Sequence, residues 1–334
     1  MCRHLLPFAG ASHALGAHAK AVAVTTEASR STQTDPTGLV AQSTEELRKH
    51  GITVFPLGPG FAAEVLGLEP PPSGQPAHPE LVSGLRHALA AHKVLCIRGK
   101  LLEEESFKEL IQLFGPLHVK GGRDKAGNFF EYSATVGKMD NSQGRHTGEN
   151  NGANFYHTDT CFVDHPPRCT VLHARRMPPS GGGDTGFLDA VAGYETLPQS
   201  MKAQLEGMRS IHGWNNDRLF GKGGGRPKDS TQNELVDVDH PIVRTHALTG
   251  QRALFVNLAR NKGVCGMGLE DGVALLQALQ DHMQAHSPKY RHIYREGDVL
   301  IWDNSLVQHR CHENWIQGEP RVLWQLMVAG ETPV

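Results

Sequence analysis

The first part of the chain alternates helical and extended hydrophobic patterns. The segment STEELRKHG has helical spacing with Ser43 as its predicted N-cap, and the β-branched and aromatic run ITVFPL after it predicts a strand. Apolar residues recur at helical spacing over residues 80–92, and the continuous apolar run in KVLCIRG predicts a buried strand. The segment ESFKELIQLFG predicts an amphipathic helix that ends at Gly115 and Pro116. This part therefore predicts helices that flank an inner strand.

Short extended runs between glycine, proline and asparagine clusters dominate the chain beyond Pro116. These runs are TVLHARRM, GDTGFLDAV, HPIVRTHAL, RALFVNL, DVLIWDN and RVLWQLMVAG. Many short strands at such spacing are typical of a sandwich or barrel, and residues 270–286 predict an inserted helical cover. We therefore expect a mainly β fold with flanking helices around a double-stranded β-helix, the jelly roll of cupin-like proteins.

Two stretches lack a regular hydrophobic pattern. Residues 1–43 are rich in Ala, Ser, Thr and His and contain only Glu27 and Asp35 as acidic residues, which is typical of a disordered tail or an organellar targeting segment. Residues 213–236 are polar and glycine-rich, as in lids and unstructured loops. We expect one domain over residues 44–334, with 213–236 as a candidate lid.

Composition and charge narrow the classes of function. Hydrophobic residues make up 39% and charged residues 20% of the 334 residues, as in ordinary globular proteins. The formal net charge of -2 gives no electrostatic surface for nucleic acid, and no apolar run is long enough to cross a membrane, so a small-molecule partner is favoured. The cysteines show no CxxC spacing, which disfavours a structural zinc site and suits a reducing cytoplasm. Organellar import and homo-oligomerisation stay open.

The triplet His157-Thr158-Asp159 is the first candidate for chemistry. On an extended chain residues i and i+2 project to the same side, so the imidazole and the carboxylate can reach one point. His309 follows the predicted strand DVLIWDN, and strands distant in sequence line the same mouth of a jelly roll. Two histidines and one carboxylate on one face are typical ligands of non-haem Fe(II). His312 competes with His309 for the third position.

Two further residues suit a dicarboxylate co-substrate. The glycine-rich segment PPSGGGDT ends in Thr185, whose hydroxyl can donate a hydrogen bond. Arg321 starts the last predicted strand, and its guanidinium can bind a carboxylate in a bidentate pair. An iron triad with this hydroxyl and this arginine predicts a site for 2-oxoglutarate, and Asn257 is a candidate for supporting the metal ligands.

Six blocks of sequence, in order, resemble the taurine/2,4-D dioxygenase (TauD/TfdA) family of Fe(II)/2-oxoglutarate-dependent dioxygenases. They are FAAEVLGLEP, KVLCIRGKLLEEESFKELIQLFGPLH, FYHTDTCFVDHPPRCTVLHARRMPPSGGGDTGFLD, HPIVRTHALTGQRALFVN, YRHIYREGDVLIWDNSLVQH and PRVLWQ, and the resemblance covers residues 50–334. It implies His157, Asp159 and His309 as iron ligands, in preference to His312. It implies contacts from Thr185 and Arg321 to the distal carboxylate of 2-oxoglutarate.

The resemblance also implies the class of reaction. Such an enzyme uses Fe(II), 2-oxoglutarate and O₂ to oxidise a C–H bond of a small organic substrate, and it releases succinate and CO₂. The carboxylate of Asp159 favours hydroxylation over halogenation, because related halogenases lack it. Sulfonate or ether cleavage, desaturation and cyclisation stay open. The alternatives from other classes are a jelly-roll metal sensor or binding protein without turnover, and a non-oxidative metal hydrolase.

One position departs from the family pattern. Members that bind sulfonates or aryloxy acids carry a second arginine four residues after the co-substrate arginine, and this chain has Gln325 there. A neutral amide cannot form the same charge-assisted pair, so such anions are disfavoured or bound by another cation. We therefore expect a neutral or partly anionic substrate, such as an amino acid, an amine or a natural-product intermediate. The candidate substrate contacts are Gln325, Lys120, Asn154, Arg310 and Arg218.

Overall fold

The computed structural model of the chain describes residues 38–58, 60–131, 135–140, 154–214, 234–316 and 318–334. Its helices are α1 Leu39–Arg48, α2 Pro79–His92, α3 Glu104–Gln112, α4 Ala190–Glu195, α5 Gln199–Leu205 and α6 Leu269–His286. Its strands are β1 Thr53–Pro56, β2 Ala63–Leu66, β3 Val94–Ile97, β4 Gly121–Arg123, β5 Phe129–Glu131, β6 Gly137–Asp140, β7 Cys169–Arg176, β8 Thr185–Asp189, β9 Arg209–His212, β10 Val238–Pro241, β11 Val243–Thr245, β12 Arg252–Leu254, β13 Asn261–Val264, β14 Lys289–His292, β15 Val299–Asp303, β16 Val307–Cys311 and β17 Val322–Val328. The prediction of a mainly β fold with helices is confirmed. None of the described helices is both long and apolar enough to cross a membrane.

Two of the five sheets in the described residues share one buried cluster. The larger has the order β1-β2-β3-β15-β7-β17-β6, and its strands pair antiparallel except for β2 with β3. The smaller has the order β14-β8-β16. Side chains from both sheets form one buried cluster that includes Leu172, Leu300, Trp302 and Leu323 of the larger sheet and Phe187 and Val307 of the smaller. The two sheets therefore pack against each other through an apolar core.

The opposite face of the larger sheet is covered by α1, α2 and α3. Along β15, Leu300 and Trp302 face the core between the sheets, whereas Val299 and Ile301 face the helices. Both faces of the strand are therefore buried. A strand buried on both faces needs a continuous apolar run rather than an alternating one, and this explains the pattern of DVLIWDN.

The first helix begins earlier than the sequence predicts. Ser43 lies inside α1 and its hydroxyl donates to Val40 O at 3.1 Å, so its predicted role as N-cap is wrong. Leu39, Ser43 and Leu47 are the buried residues of α1, and their spacing of four places them on one face. The apolar face thus starts at Leu39, and residues 39–43, assigned above to the tail, belong to this helix.

The helix α6 lies where the sequence predicts a cover, and its buried face packs on Leu188 of β8 through Leu276 and Met283. The short helices α4 and α5 were not predicted. Asp189, at the end of β8, caps α4 by accepting hydrogen bonds from Val191 N and the next backbone N–H. Residues 215–233 of the predicted lid lie outside the described residues, so the lid stays a prediction.

Candidate active site

His157 and His309 lie opposite each other at the edge of the smaller sheet. Each donates its backbone N–H to the carbonyl of the other, both at 2.9 Å, and the centroids of their rings are 4.2 Å apart. His309 also pairs with Phe187 of β8 through the regular ladder of β16. Backbone pairing therefore fixes the two imidazoles side by side, although the residues are far apart in the sequence.

Asp159 completes the group that the sequence predicts. One carboxylate oxygen lies 3.5 Å from His157 Nε2 and the other lies 3.6 Å from His309 Nε2. One ligand atom from each residue can be chosen so that all three lie within 4.8 Å of one another. Thr160, the next residue, has a left-handed φ of 48°, which turns the chain away directly after the carboxylate.

Hydrogen bonds orient His157 and Asp159. His157 Nδ1 donates to Phe155 O at 2.9 Å, which leaves the lone pair of Nε2 directed at the group. Thr170 Oγ1 donates to Asp159 Oδ2 at 2.9 Å and accepts from Asn304 Nδ2 at 2.9 Å. The carboxylate is thus held by a chain of two side chains that continues into the larger sheet.

The electrostatics of the site favour the ligand forms of His309 and Asp159. Burial lowers the pKa of His309 to about 3, and the neighbouring His157 acts in the same direction. Burial acts to raise the pKa of Asp159, but His309, His157 and the hydrogen bond from Thr170 together hold that pKa below its usual range. At neutral pH His309 is therefore neutral and Asp159 is ionised, which are the states that bind metal.

This donor set fits Fe(II), since imidazole nitrogen and carboxylate oxygen are its usual ligands in oxygenases. Two other groups of ligand-type residues occur in the described part of the chain: Cys96, His292 and Asp298, and His50, His78 and Glu80. Asp298 already binds Arg98 at 2.8 Å, and Glu80 already binds Lys49 at 2.5 Å. Asp159 forms no ion pair with a described lysine or arginine, so its charge is left for a cation.

Thr185 lies further along the smaller sheet from the histidines. It is paired with Cys311 of β16, whereas His309 is paired with Phe187, two residues further along β8. Two residues of a strand span about 7 Å and return the side chain to the same face. The Thr185 hydroxyl is buried and lies 2.8 Å from the hydroxyl of Tyr294.

Arg321 is buried just before β17, and its Nε and Nη2 donate to Gly183 O at 3.1 and 2.8 Å. Its guanidinium lies 5.2 Å from the ring centroid of Trp315. Gly183 has a φ of 71°, and a Cβ added there would lie 2.5 Å from Arg321 Nε. The glycine that precedes β8 therefore makes room for the arginine.

Lys120 and Gln325 meet inside the protein. Lys120 is 7% exposed and its Nζ donates to Gln325 Oε1 at 2.9 Å. Gln325 lies four residues after Arg321, so both side chains project to the same face of the extended chain. Burial lowers the pKa of Lys120, and the charge of Asp159 opposes this shift. The structure therefore places the buried ammonium group of Lys120 beside Gln325, the neutral residue at the position that departs from the family pattern.

The profile of the "Taurine catabolism dioxygenase TauD, TfdA family" matches residues 53–327. The chain belongs to this family. The 2,4-dichlorophenoxyacetate dioxygenase of Cupriavidus pinatubonensis, which depends on alpha-ketoglutarate (2-oxoglutarate), is 32% identical over 270 residues, or 78% of this chain and 91% of the relative. The alpha-ketoglutarate-dependent sulfate ester dioxygenase of Pseudomonas putida is 28% identical over 294 residues, or 85% and 91%.

A solved structure confirms that the fold is shared. The crystal structure of AAD-2 in complex with Mn(II) and N-oxalylglycine aligns with a TM-score of 0.68 and 23% identity, covering 84% of this chain and 98% of that one. As a TauD/TfdA member, the protein is a dioxygenase that uses Fe(II), 2-oxoglutarate and O₂. The predicted family and reaction class are confirmed.

Three further residues are predicted to contact the substrate of this TauD/TfdA protein. Arg310 follows His309 on β16, so its side chain projects to the opposite face, where its guanidinium lies 5.6 Å from the ring of Tyr156. Asn154 is half-buried three residues before His157. Arg218 lies outside the described residues.

Three residues support the site through hydrogen bonds, and the sequence predicts only one of them, Asn257. Asn257, a candidate support of the ligands, donates from Nδ2 to Thr158 O at 2.8 Å, between two members of the triad. Thr170 and Tyr294 were not predicted. Thr170 sits in an apolar strand run and Tyr294 lies 109 positions from its partner Thr185, so neither gives a local signal.

Proposed function

We propose that His157, Asp159 and His309 bind the iron of this dioxygenase. The observation that carries the proposal is the convergence of three donor atoms within 4.8 Å, with Asp159 ionised and not engaged by any described lysine or arginine. When bound, Fe(II) with 2-oxoglutarate and O₂ supplies the oxidising chemistry, and succinate and CO₂ are released. The protein holds the ligands in position and excludes water from the surrounding core.

We propose that Thr185 and Arg321 hold the distal carboxylate of 2-oxoglutarate. Thr185 lies about 7 Å along the strand from the residue opposite His309, a separation that suits a five-carbon diacid held at both ends. Arg321 Nη1 makes no hydrogen bond to the residues that the structure describes, and so it can donate to a carboxylate.

The proposed architecture is a jelly roll in a single domain over residues 44–334, extended to residue 39 by the start of α1, with residues 213–236 as the lid. The facing sheets, which share one apolar core, support the jelly roll. His309 lies on β16 and Thr185 on β8, and His157 and Asp159 belong to the segment that pairs with β16.

We propose a small organic acid as the substrate, oxidised most directly by hydroxylation of a C–H bond near its acid group. A buried ammonium has three N–H donors, and Lys120 uses one of them for Gln325. It makes no other hydrogen bond to the described residues. An anion bound there would satisfy the remaining donors, and this replaces the expectation of a neutral substrate drawn from Gln325 alone.

A panel of paired substrates tests this proposal. Succinate formation is measured with Fe(II) and 2-oxoglutarate against carboxylates, sulfonates and sulfate esters, each paired with a neutral amide or alcohol of the same carbon skeleton. Anionic members should stimulate succinate formation above the rate without substrate, and their neutral partners should not.

Lys120→Met is the matched test of the cation. It keeps the length of the side chain and removes the charge, so KM for the anionic substrate should rise about tenfold or more, since charge-assisted hydrogen bonds contribute about 1.5–3 kcal/mol. The surface variant Lys49→Met should behave as wild type. Equal stimulation by neutral partners, or an unchanged KM in Lys120→Met, would contradict the anionic substrate without affecting the iron site.

A further inference from the structure

Tyr294 lies at the end of the proposed co-substrate site that is remote from the metal ligands. It follows β14 by two residues, is 7% exposed, and its hydroxyl lies 2.8 Å from Thr185 Oγ1. Its ring packs edge-on against His292, with centroids 4.7 Å apart, and joins the core between the sheets. The tyrosine hydroxyl is therefore held at a fixed point beside Thr185.

The direction of the bond between these two hydroxyls decides what Thr185 can do. Each hydroxyl has one hydrogen and can also accept. If Thr185 donated to Tyr294, it would have no hydrogen left for a carboxylate. If Tyr294 donates to Thr185, the threonine hydrogen can bond an anion, and its donor strength is increased because linked hydrogen bonds polarise one another.

A bound anion selects the second direction, because an anion can only accept and Thr185 must then donate to it. Burial raises the pKa of Tyr294. The net upward shift keeps the hydroxyl protonated, so a donor is always present. Arg321 donates to Gly183 O, two residues before Thr185, so the guanidinium also lies near this pair of hydroxyls.

We propose that Tyr294 is a positioning residue for 2-oxoglutarate, whose hydroxyl donates to Thr185 Oγ1 so that Thr185 donates to the distal carboxylate. The inference rests on the proposed co-substrate site and adds to it a residue that acts through Thr185. It assigns recognition of the diacid to three side chains, Arg321, Thr185 and Tyr294, rather than two.

Binding to the Mn(II)-loaded protein, measured by isothermal titration calorimetry, tests the inference without turnover. Tyr294→Phe removes only the hydroxyl, and the Kd for 2-oxoglutarate should rise several-fold to about tenfold, the usual effect of one hydrogen bond. The Kd for 2-oxobutyrate, which lacks the distal carboxylate, should stay the same. This difference separates a role at the carboxylate from general damage to the site.

Tyr290→Phe is the matched control. Tyr290 lies on β14, and its hydroxyl contacts His292 Nδ1 at 3.0 Å instead of Thr185, so its loss should leave the Kd for 2-oxoglutarate unchanged. In a Thr185→Val background, Tyr294→Phe should cause no further loss of affinity, because the residue through which it acts is absent.

The outcomes separate the inference from the site on which it rests. An unchanged Kd for 2-oxoglutarate in Tyr294→Phe, or an equal rise for both keto acids, would overturn the role of Tyr294 while leaving the co-substrate site in place. If Tyr294→Phe does not fold, Tyr294→Leu, which also lacks the hydroxyl, takes its place with the same expected result, a raised Kd for 2-oxoglutarate and an unchanged Kd for 2-oxobutyrate. Wild-type protein that bound both keto acids with the same affinity would overturn the co-substrate site itself.

Discussion

At the scale of single residues, the site is notable for how Asp159 is held. Its carboxylate accepts from Thr170, which in turn accepts from Asn304, and both supports are buried. A largely buried ionised carboxylate that forms no ion pair with a described lysine or arginine is costly, and a bound metal ion relieves this cost. The carboxylate is therefore pre-positioned for a cation rather than for a salt bridge within the chain.

Replacing Asp159 by Ala should abolish succinate formation and reduce the iron retained after anaerobic loading and desalting. Loss of a residue behind a ligand already weakens metal binding about 10- to 100-fold, so loss of the ligand itself should exceed this range. Asp164→Ala is the control, because that carboxylate is half exposed and lies five residues later. Full iron content and full activity in Asp159→Ala would remove this residue from the proposed triad.

The sequence predicts the metal-binding triad, and it also predicts Thr185 and Arg321, because a short motif and six ordered blocks of sequence mark these residues. It does not predict Thr170 or Tyr294, because their roles arise only when strands from distant parts of the chain are placed side by side. From Gln325 the sequence predicts a neutral contact with the substrate. In the folded chain, however, the ammonium of Lys120 lies beside Gln325, although the two residues are 205 positions apart.

At the scale of elements, the loop before β8 makes room for Arg321 of the proposed co-substrate site. Gly181 and Gly183 both have left-handed φ values, 83° and 71°. A Cβ at Gly181 would meet no atom within 4 Å, whereas one at Gly183 would collide with Arg321. The two glycines thus share the same backbone requirement but differ in what a side chain would displace.

Gly183→Ala should therefore raise the Kd for 2-oxoglutarate of the Mn(II)-loaded protein by more than about tenfold, since it removes the guanidinium from its position and a charge-assisted bond with it. Gly181→Ala carries a similar backbone cost of about 1–2 kcal/mol and is the control. Its Kd should stay near that of wild type, and comparable losses in both variants would show that backbone strain, not Arg321, sets the affinity.

Elements that bury a continuous or regular apolar pattern were predicted well. The strands β3, β15 and β17 and the helices α2, α3 and α6 follow their hydrophobic runs. The start of α1 was missed because Ser43 resembles an N-cap in sequence, although it is buried within the helix. The helices α4 and α5 are too short to show a helical period, and only the packing of their surroundings defines them.

At the scale of the whole molecule, burial of histidines makes stability depend on pH. Burial lowers the pKa of His173 and of His240 to about 4, and burial together with the charge of Lys120 does the same for His118. In the unfolded chain these groups titrate near their ordinary pKa of about 6.5. Between about pH 4 and 6.5 the unfolded state binds more protons than the folded state. The contribution of these three histidines to the free energy of unfolding is therefore fully present above about pH 6.5 and is lost as the pH falls toward 4.

The melting temperature, measured with a chelator present so that metal release does not contribute, should fall as pH is lowered from 6.5 to 4. His173→Gln keeps a donor for Lys100 O and cannot be protonated in this range, so its melting temperature should fall less steeply. His286→Gln, at an exposed position, should follow wild type. Identical pH profiles for all three proteins would exclude His173 as a source of acid sensitivity.

The overall architecture was predictable because most of the chain buries its apolar runs in sheets. The packing of β15 between helices on one side and the smaller sheet on the other could not be read from the sequence, since a run buried on both faces has no period. The lid predicted over residues 213–236 falls mainly outside the described residues and stays a prediction.

The reciprocal backbone pairing of His157 with His309 has a consequence for how the protein is made. Its two partners belong to distant parts of the chain, so the pair forms only after the chain has been synthesised through His309 and the intervening strands have packed. A nascent or truncated chain would hold an incomplete donor set. With the proposed ligands, iron would be acquired only once the enclosing core exists, which would keep a reactive metal away from half-built protein.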